Sequence, residues 1–331
     1  MYDSILKFAE QLSFKPEIKN GQVEARGLPA ATHAAQAGKK IIIAGMGGSN
    51  LSGGLLRIFG PSVDVVLHRD YGLPSFQQNV LAESLLIASS YSGNTEETLD
   101  FLEHTLRIGL RPAVITSGGK LLARAQEERL PYIQIPNNVI QPRVAVGLSL
   151  VALAALTGRD DLIGELSRIA TVLVPSAEEA EGKRITDALS GFIPLVYASN
   201  QNRSIAYNWK IKINETAKTP VFMNVFPELN HNEFASFAKN EKGPQTPFKL
   251  LLIRDDEDHE RIQKRMDITA SLLSKNGISA VETSMTGTTR LERALRLLVR
   301  ADWTAYHLAL SYGVNPDNIP AIEEFKKRMV S

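Results

Sequence analysis

The chain has 331 residues, which suggests two domains at about 150 residues per domain. Lysine and arginine total 37 and aspartate and glutamate total 36, so the net charge of +1 argues against nucleic acid as a partner. The chain contains no cysteine, which excludes disulfide bonds, a thiol nucleophile and cysteine-bound zinc or iron–sulfur clusters.

Charged residues interrupt the amino terminus and no secretory signal pattern is present, so we expect a cytoplasmic protein. The longest apolar run is too short to cross a membrane.

Short β-branched runs alternate with segments of helical period from Lys40 onward, which is typical of parallel strands joined by crossover helices. In chain order the pattern predicts strand Ile41–Ala44, helix Leu51–Phe59, strands Val63–Leu67 and Leu85–Ser89, helix Glu96–Ile108, strand Ala113–Thr116, helix Leu121–Glu128, strand Tyr132–Ile135 and helix Arg143–Leu156. The polar segment 157–161 then interrupts the alternation. We therefore predict one domain over residues 1–156 and a second over 157–331.

A second round of the same alternation follows the predicted boundary. It comprises strands near Pro194–Ala198, Val221–Asn224, Leu250–Ile253 and Ala280–Glu282, and helices at about Ile205–Ala217, Glu260–Lys275, Leu291–Ser311 and Ala321–Met329. The predicted fold class is α/β, with two doubly wound, flavodoxin-like parallel-sheet domains and a C-terminal helix.

A glycine-rich loop, Gly45 to Asn50, follows the first predicted strand and precedes a helix. Glycines allow backbone N–H groups to approach an anion, and a helix amino terminus adds partial positive charge, so the loop indicates a phosphate site. A tight connection without a ligand is an alternative. A nicotinamide-dinucleotide site is disfavoured because Asn50 stands where that fingerprint needs a small residue.

A hydroxyl-rich loop, Ser89 to Thr95, lies between another predicted strand and its helix. Its serine and threonine hydroxyls could surround the oxygens of one phosphate. The alternative interpretation is helix capping by Asn94 or Thr95. We favour phosphate binding because both loops follow strands at the edge where open α/β sheets bind ligands.

Two segments of the second half carry acid–base side chains. In the first, Lys212, Glu215 and Lys218 share a helix face, which a solvated ladder of ion pairs would also explain. The second contains His231 and Glu233, but there is no HExxH motif and no evident third ligand, so we predict no metal site.

The segments GMGGS, SYSGNTEET, NETAK, PELNHNEF and IEEFKKRM, in this order, resemble the bifunctional phosphoglucose/phosphomannose isomerases, which consist of two sugar isomerase (SIS) domains. The resemblance implies that Glu215 moves a proton between C1 and C2 of the sugar, that His231 opens the sugar ring with help from Lys326, and that Arg143 stabilises the enediolate. It implies phosphate contacts from Gly48, Ser49, Ser90, Ser92 and Thr95.

The resemblance therefore implies an isomerase that interconverts glucose 6-phosphate with fructose 6-phosphate without metal or cofactor, and it allows mannose 6-phosphate as a second substrate. Ile319 stands where some relatives have threonine, which disfavours mannose 6-phosphate. The family is dimeric, so we expect a homodimer whose partners are small-molecule sugar phosphates, with neither nucleic acid nor membrane. A sugar-phosphate sensor without catalysis and a nicotinamide-dependent dehydrogenase are the alternatives.

Overall fold

Runs of buried isoleucine, leucine and valine form the parallel strands of two separate sheets. The structure is a computed structural model that describes residues 1–20, 40–59, 64–137, 141–237 and 247–330. The chain divides into an N-terminal unit, Leu6–Leu173, and a C-terminal unit formed by Val174–Ser331 with Met1–Ile5. The boundary predicted at residues 156 and 157 lies one helix before this division.

The sheet of the N-terminal unit has the order β1-β6-β5-β4-β2-β3. Its strands are β1 (Ile18–Lys19), β2 (Lys40–Ala44), β3 (Asp64–His68), β4 (Leu85–Ser90), β5 (Ala113–Thr116) and β6 (Tyr132–Gln134). All neighbouring strands are parallel except β1 and β6. The five parallel strands have the order of flavodoxin-like sheets, and the strand order reverses between β2 and β4. Ligands bind such sheets beyond the carboxyl ends of the strands that flank this reversal.

The helices of this unit are α2 (Phe8–Gln11), α3 (Gly48–Leu56), α4 (Gln78–Glu83), α5 (Glu96–Arg107), α6 (Gly119–Glu127), α7 (Val146–Leu156) and α8 (Asp160–Val172). Helix α1 (Tyr2–Leu6) is divided between the units after Ile5. Helix α7 is apolar on all sides and almost wholly buried. A 3₁₀ turn at Pro142–Val144 precedes it, so the observed helix begins at Val146, three residues after the predicted start at Arg143. The sequence pattern did not predict α8, whose buried face carries Leu162, Leu166 and Ile169.

The C-terminal unit contains a fully parallel sheet of order β10-β9-β7-β8. Its strands are β7 (Ile193–Ser199), β8 (Phe222–Phe226), β9 (Phe248–Arg254) and β10 (Ala280–Ser284), and its helices are α9 (Glu179–Leu189), α10 (Arg203–Ala217), α11 (Glu260–Lys275), α12 (Arg290–Ser311) and α13 (Pro320–Val330). The order again reverses between two adjacent strands, here β7 and β9. The prediction of two doubly wound α/β domains is confirmed.

Helix α12 forms the centre of the C-terminal unit. It packs between α9 and α10, and a Cβ atom added to Gly182 of α9 would lie 2.6 Å from the Cβ of Trp303. Glycine at this position therefore sets how closely α9 approaches α12. No helix within the described ranges is both long and apolar enough to span a bilayer.

Candidate active site

The two predicted phosphate loops lie side by side at the strand reversal of the N-terminal unit. Strand β2 leads into Gly45–Gly47 and then α3, while the adjacent β4 leads into residues 91–95 and then α5. Gly47 has φ 49°, in the left-handed region that favours glycine. The backbone N–H of Tyr91 donates to Ser49 Oγ at 2.9 Å, which joins the two loops directly. The sequence predicted both loops, and the structure places them next to each other.

Hydrogen bonds between hydroxyl groups organise the second loop. Ser90 Oγ lies 2.8 Å from Thr95 Oγ1 and also accepts the N–H of Gly93 at 3.1 Å. Ser92 is exposed, and its Oγ accepts the N–H of Asn94 at 3.3 Å. Thr95 is the N-cap residue of α5, but its side chain accepts no N–H of the first turn. The capping interpretation is therefore wrong for Thr95, whose hydroxyl is directed to Ser90 instead.

A third loop, which sequence reasoning missed, follows β5 and packs against the second. Ser117 Oγ donates to the carbonyl of Tyr91 at 2.6 Å, and the N–H of Lys120 donates to Asn94 Oδ1 at 3.1 Å. A Cβ added to Gly93 would lie 1.8 Å from the carbonyl oxygen of Gly118. The available signal was the glycine pair at 118–119 between a strand and a helix. This loop holds the hydroxyl-rich loop in place.

Arg143 lies beside the first loop although 95 positions separate it from Gly48 in the sequence. A Cβ added to Gly48 would lie 2.6 Å from the carbonyl carbon of Pro142 and 2.7 Å from the backbone nitrogen of Arg143. The Arg143 side chain is fully buried, and its Nη1 donates to Gln141 Oε1 at 3.2 Å. Arg143 therefore lies next to the first predicted phosphate loop, with its side chain shielded from solvent.

Side chains close the equivalent strand reversal of the C-terminal unit. Asn202, which follows β7, donates through Nδ2 to Asp255 Oδ2 at 3.0 Å, while Gln201 donates to Asp258 Oδ1 at 2.5 Å. Arg290 Nη1 donates to Gln201 Oε1 at 3.0 Å. Burial raises the pKa of Asp258 above its usual range. The buried carboxyl groups of Asp255 and Asp258 would repel a phosphate at this strand reversal. The corresponding strand reversal of the N-terminal unit carries glycines and hydroxyl groups instead.

Glu215 lines a cavity of about 340 Å³ at the opposite edge of the second sheet. The end of α10 and the segment that begins α13 form its walls, which consist of Tyr207, Lys210, Ile211, Asn214, Glu215, Lys218, Ile319, Pro320, Ala321 and Ile322. Lys218, with φ 55°, ends α10 in the left-handed conformation. Its Nζ donates to the carbonyls of Thr216 at 2.9 Å and Asn315 at 2.5 Å. The cavity thus offers a half-buried carboxylate within a mainly apolar wall.

Lys212 does not form the exposed ladder that the sequence allowed. Its side chain is fully buried, and its Nζ lies 2.6 Å from Asp302 Oδ1. The ladder interpretation is therefore wrong at Lys212, whereas Glu215 and Lys218 both line the cavity.

The side chain of His231 is exposed and lies at the end of a 3₁₀ turn after β8. Within the part of the chain that the structure describes, its ring has no hydrogen-bond partner. By contrast, the carboxylate of Glu233 accepts hydrogen bonds from Tyr197 and Asn224. Burial, and then the neighbouring Glu233, raise the pKa of Tyr197. Glu233 thus has a structural role, and His231 is the free group of this segment.

Glu215 and His231 lie at opposite ends of β8. Glu215 precedes the amino end of this strand and His231 follows its carboxyl end. Five residues of strand extend about 16 Å, so the two side chains do not meet at one point of this sheet.

Lys326 lies on α13, whose residues from Pro320 to Met329 are exposed. It is six residues beyond Pro320, or about 9 Å along the helix axis, and it does not belong to the cavity wall around Glu215. Among the described residues, no group of three histidine, aspartate or glutamate side chains is arranged to hold a metal ion.

The chain is similar to known proteins over most of its length. Residues 178–329 match the family model described as the bacterial phospho-glucose isomerase C-terminal SIS domain. The chain is 36% identical to the bifunctional phosphoglucose/phosphomannose isomerase of Aquifex aeolicus, over 88% of this chain and 90% of that protein. It is 35% identical to the protein of the same name from Caldicellulosiruptor bescii, over 99% and 98% of the two chains.

Among solved structures, the chain is similar in fold to the C-terminal domain of glucosamine-fructose-6-phosphate aminotransferase from Francisella tularensis. The TM-score is 0.63 at 14% identity, over 96% of this chain and 97% of that chain. This likeness supports the fold alone. The two bifunctional isomerases match 88% and 99% of this chain at 36% and 35% identity, which is sufficient to assign the family. The chain therefore belongs to the family of bifunctional phosphoglucose/phosphomannose isomerases.

Proposed function

We propose that the protein is an aldose–ketose isomerase that interconverts glucose 6-phosphate with fructose 6-phosphate through a cis-enediolate. The observation that carries the proposal is Glu215, a carboxylate at the wall of a cavity large enough for a sugar phosphate, in a chain of this family. Interconversion of an aldose and a ketose requires a base that removes a proton from one carbon and returns it to the next. A single carboxylate performs both steps.

The phosphate-loop region supplies the recognition chemistry in this proposal. Gly48, Ser49, Ser90, Ser92 and Thr95 offer backbone N–H groups and hydroxyls, which donate to phosphate oxygens without adding a fixed charge. Neutral donors hold a dianion less tightly than several cations would, which favours release of the product.

Arg143 and His231 supply the remaining charge and proton transfers that we propose. A guanidinium stays protonated at all accessible pH values, so Arg143 would stabilise the oxyanion of the enediolate. An imidazole exchanges protons near neutral pH, which suits His231 to opening of the sugar ring, with Lys326 assisting.

We further propose a homodimer in which His231 acts on the substrate of the partner subunit. The separation of Glu215 and His231 along β8 supports this assignment, because a strand's length keeps the two groups of one chain apart. Since His231 is exposed, it is available to a second copy.

The deciding experiment measures conversion of glucose 6-phosphate and mannose 6-phosphate side by side, with and without EDTA. We expect activity that EDTA does not reduce, and a lower rate with mannose 6-phosphate because Ile319, in the cavity wall, offers no hydroxyl. The variant Ile319→Thr should raise the mannose 6-phosphate rate relative to the glucose 6-phosphate rate. Binding of fructose 6-phosphate with no turnover of either substrate would instead indicate a sensor. The cytoplasmic location and metal independence stay predictions.

A further inference from the structure

A second cavity of the C-terminal unit, of about 310 Å³, lies between α11 and the segment that carries His231. We call it the α11 cleft. Arg261, Lys264, Arg265 and Ile268 of α11 form one wall, and Asn230 and Phe234 contribute to the other. The four α11 positions are spaced three, four and seven residues apart, so they occupy one face of the helix.

Three of the residues in this wall are cations, and no carboxylate is among the lining residues. Within the described ranges, neither Arg261, Lys264 nor Arg265 forms an ion pair. Elsewhere in the same unit, Arg254 pairs with Glu282 at 2.7 Å and Arg300 with Glu178 at 2.7 Å. The cleft therefore concentrates positive charge in a unit whose other arginines include several with carboxylate partners.

Two carboxylates near the cleft have partners outside its lining. Asp267 pairs with Arg254 at 2.9 Å, and Glu228 Oε1 accepts from Asn232 at 2.9 Å. Glu260 lies four residues before Lys264 on α11, but the two side chains form no ion pair within the described residues. Among the described residues, none of these carboxylates forms an ion pair with a cation of the cleft.

We propose that the α11 cleft binds the phosphate group of a small phosphorylated molecule. Like charges on adjacent turns of a helix repel one another, and a bound anion removes that cost. Arginine matches phosphate with paired N–H donors, and low-dielectric walls strengthen the field of cations inside a concave surface. The cleft's volume is at the small end of the range for metabolite sites. Phe234 and Ile268 give it an apolar side that can pack against the body of the ligand.

Hydrogen bonds connect the cleft to the segment that carries His231. Arg265 Nη1 donates to Asn230 Oδ1 at 3.3 Å, and Asn230 Nδ2 donates to the buried Thr269 Oγ1 at 3.0 Å. Asn230 directly precedes His231. An anion that draws the Arg265 guanidinium toward itself weakens this anchor, so occupancy of the cleft will alter the position of the His231 turn.

Isothermal titration calorimetry of the full-length protein tests the proposal with pyrophosphate and AMP as probes. Because the phosphate-loop region can also bind an anion, the number of sites is the readout. We expect two anion sites per chain, one of which is lost in Arg261→Gln/Lys264→Gln with at least a tenfold fall in affinity, and the other in Ser90→Ala/Thr95→Val. Arg261 and Lys264 are exposed, and the surviving loop site reports that the variant is folded.

Lys19→Gln/Lys275→Gln removes the same charge from exposed positions outside the cleft and is the matched control. Tighter binding of AMP than of pyrophosphate at the cleft would identify an organic phosphate ester as the ligand, and equal binding would identify an inorganic polyphosphate. A single site that Arg261→Gln/Lys264→Gln leaves unchanged overturns the proposal. So does an equal loss in the control. Neither result depends on isomerase activity, which the coupled assay measures separately.

Discussion

Lys212 Nζ lies 2.6 Å from Asp302 Oδ1, and the two side chains are at most 1% exposed. The pair joins α10 to α12 one helical turn before Glu215. A charge this deep is tolerated only with its partner, because desolvation of either ion alone costs several kcal/mol. The orientation of the helix end that carries Glu215 therefore depends on an interaction in the core.

Removal of one member of this pair should destabilise the protein strongly. We expect Lys212→Met to lower the free energy of unfolding by about 3–5 kcal/mol, because Asp302 is left buried without its cation. Denaturant unfolding measures this loss. The double variant Lys212→Met/Asp302→Leu should recover most of it. A double variant as unstable as the single one would show that the pair itself, and not its desolvation, determines the stability.

Glu215→Gln should remove the base and leave the fold intact. Since the side chain lines a cavity and the substitution preserves its size, we expect an unchanged melting temperature and a fall in kcat of about 10²–10⁴-fold. Glu17→Gln, at an exposed position, is the matched control in the same coupled assay. Full activity of Glu215→Gln would refute the proposed mechanism.

Complementation between two inactive variants tests whether His231 acts across subunits. Glu215→Gln and His231→Ala should each be inactive alone. When they are co-expressed with different tags, random assembly gives heterodimers with one complete site, so we expect about a quarter of wild-type activity. Light scattering should show the dimer. If the mixture stays inactive although heterodimers form, His231 does not act across subunits.

Gly48→Ala should perturb the phosphate-loop region. The new Cβ would meet the backbone of Pro142 and Arg143 at 2.6 and 2.7 Å, so one of the two segments must shift. We expect a loss of about 1–3 kcal/mol in stability and a higher KM for glucose 6-phosphate. Gly164→Ala is the matched control, because its added Cβ has no atom within 4 Å apart from the adjacent backbone of α8. That variant should gain about 0.5–1 kcal/mol, and a KM unchanged in Gly48→Ala would argue against the loop as the phosphate site.

Stability should fall as the pH decreases below about 6.5, in part through His307. Burial lowers the pKa of this histidine, although Nε2 lies 3.0 Å from Glu179 Oε1. The folded state thus resists protonation that the unfolded state accepts, so acid favours unfolding. His307→Gln should reduce the difference in melting temperature between pH 7.5 and 5.5. His104→Gln is the control. If it reduces this difference in melting temperature as much as His307→Gln does, His307 is not the source of the pH dependence.

Local patterns were sufficient to predict most of the fold and the two loops. The β-branched run around Ile42 marks β2, and the glycines and hydroxyls that follow the strands mark the loops. The helix α8 was missed because its polar beginning at Asp160 and Asp161 reads as a linker, although Leu162, Leu166 and Ile169 have helical spacing.

Long-range contacts account for what the sequence did not reveal. The burial of Lys212 depends on Asp302, 90 residues away, and its own neighbours resemble a solvated helix face. Likewise, the contact between Gly48 and the backbone of Arg143 is a property of packing that no local pattern encodes.

The hydrogen-bond network at the strand reversal of the C-terminal unit contributes to stability at a place that the proposed reaction does not use. Its network of Asn202, Asp255 and Asp258 takes no part in the proposed chemistry, whereas the loops of the N-terminal unit must keep polar groups available to substrate. An engineer seeking a thermostable isomerase can therefore redesign this network without the usual trade-off between rigidity and turnover. For the same reason, sequence drift among relatives should be tolerated there more readily than in the phosphate loops.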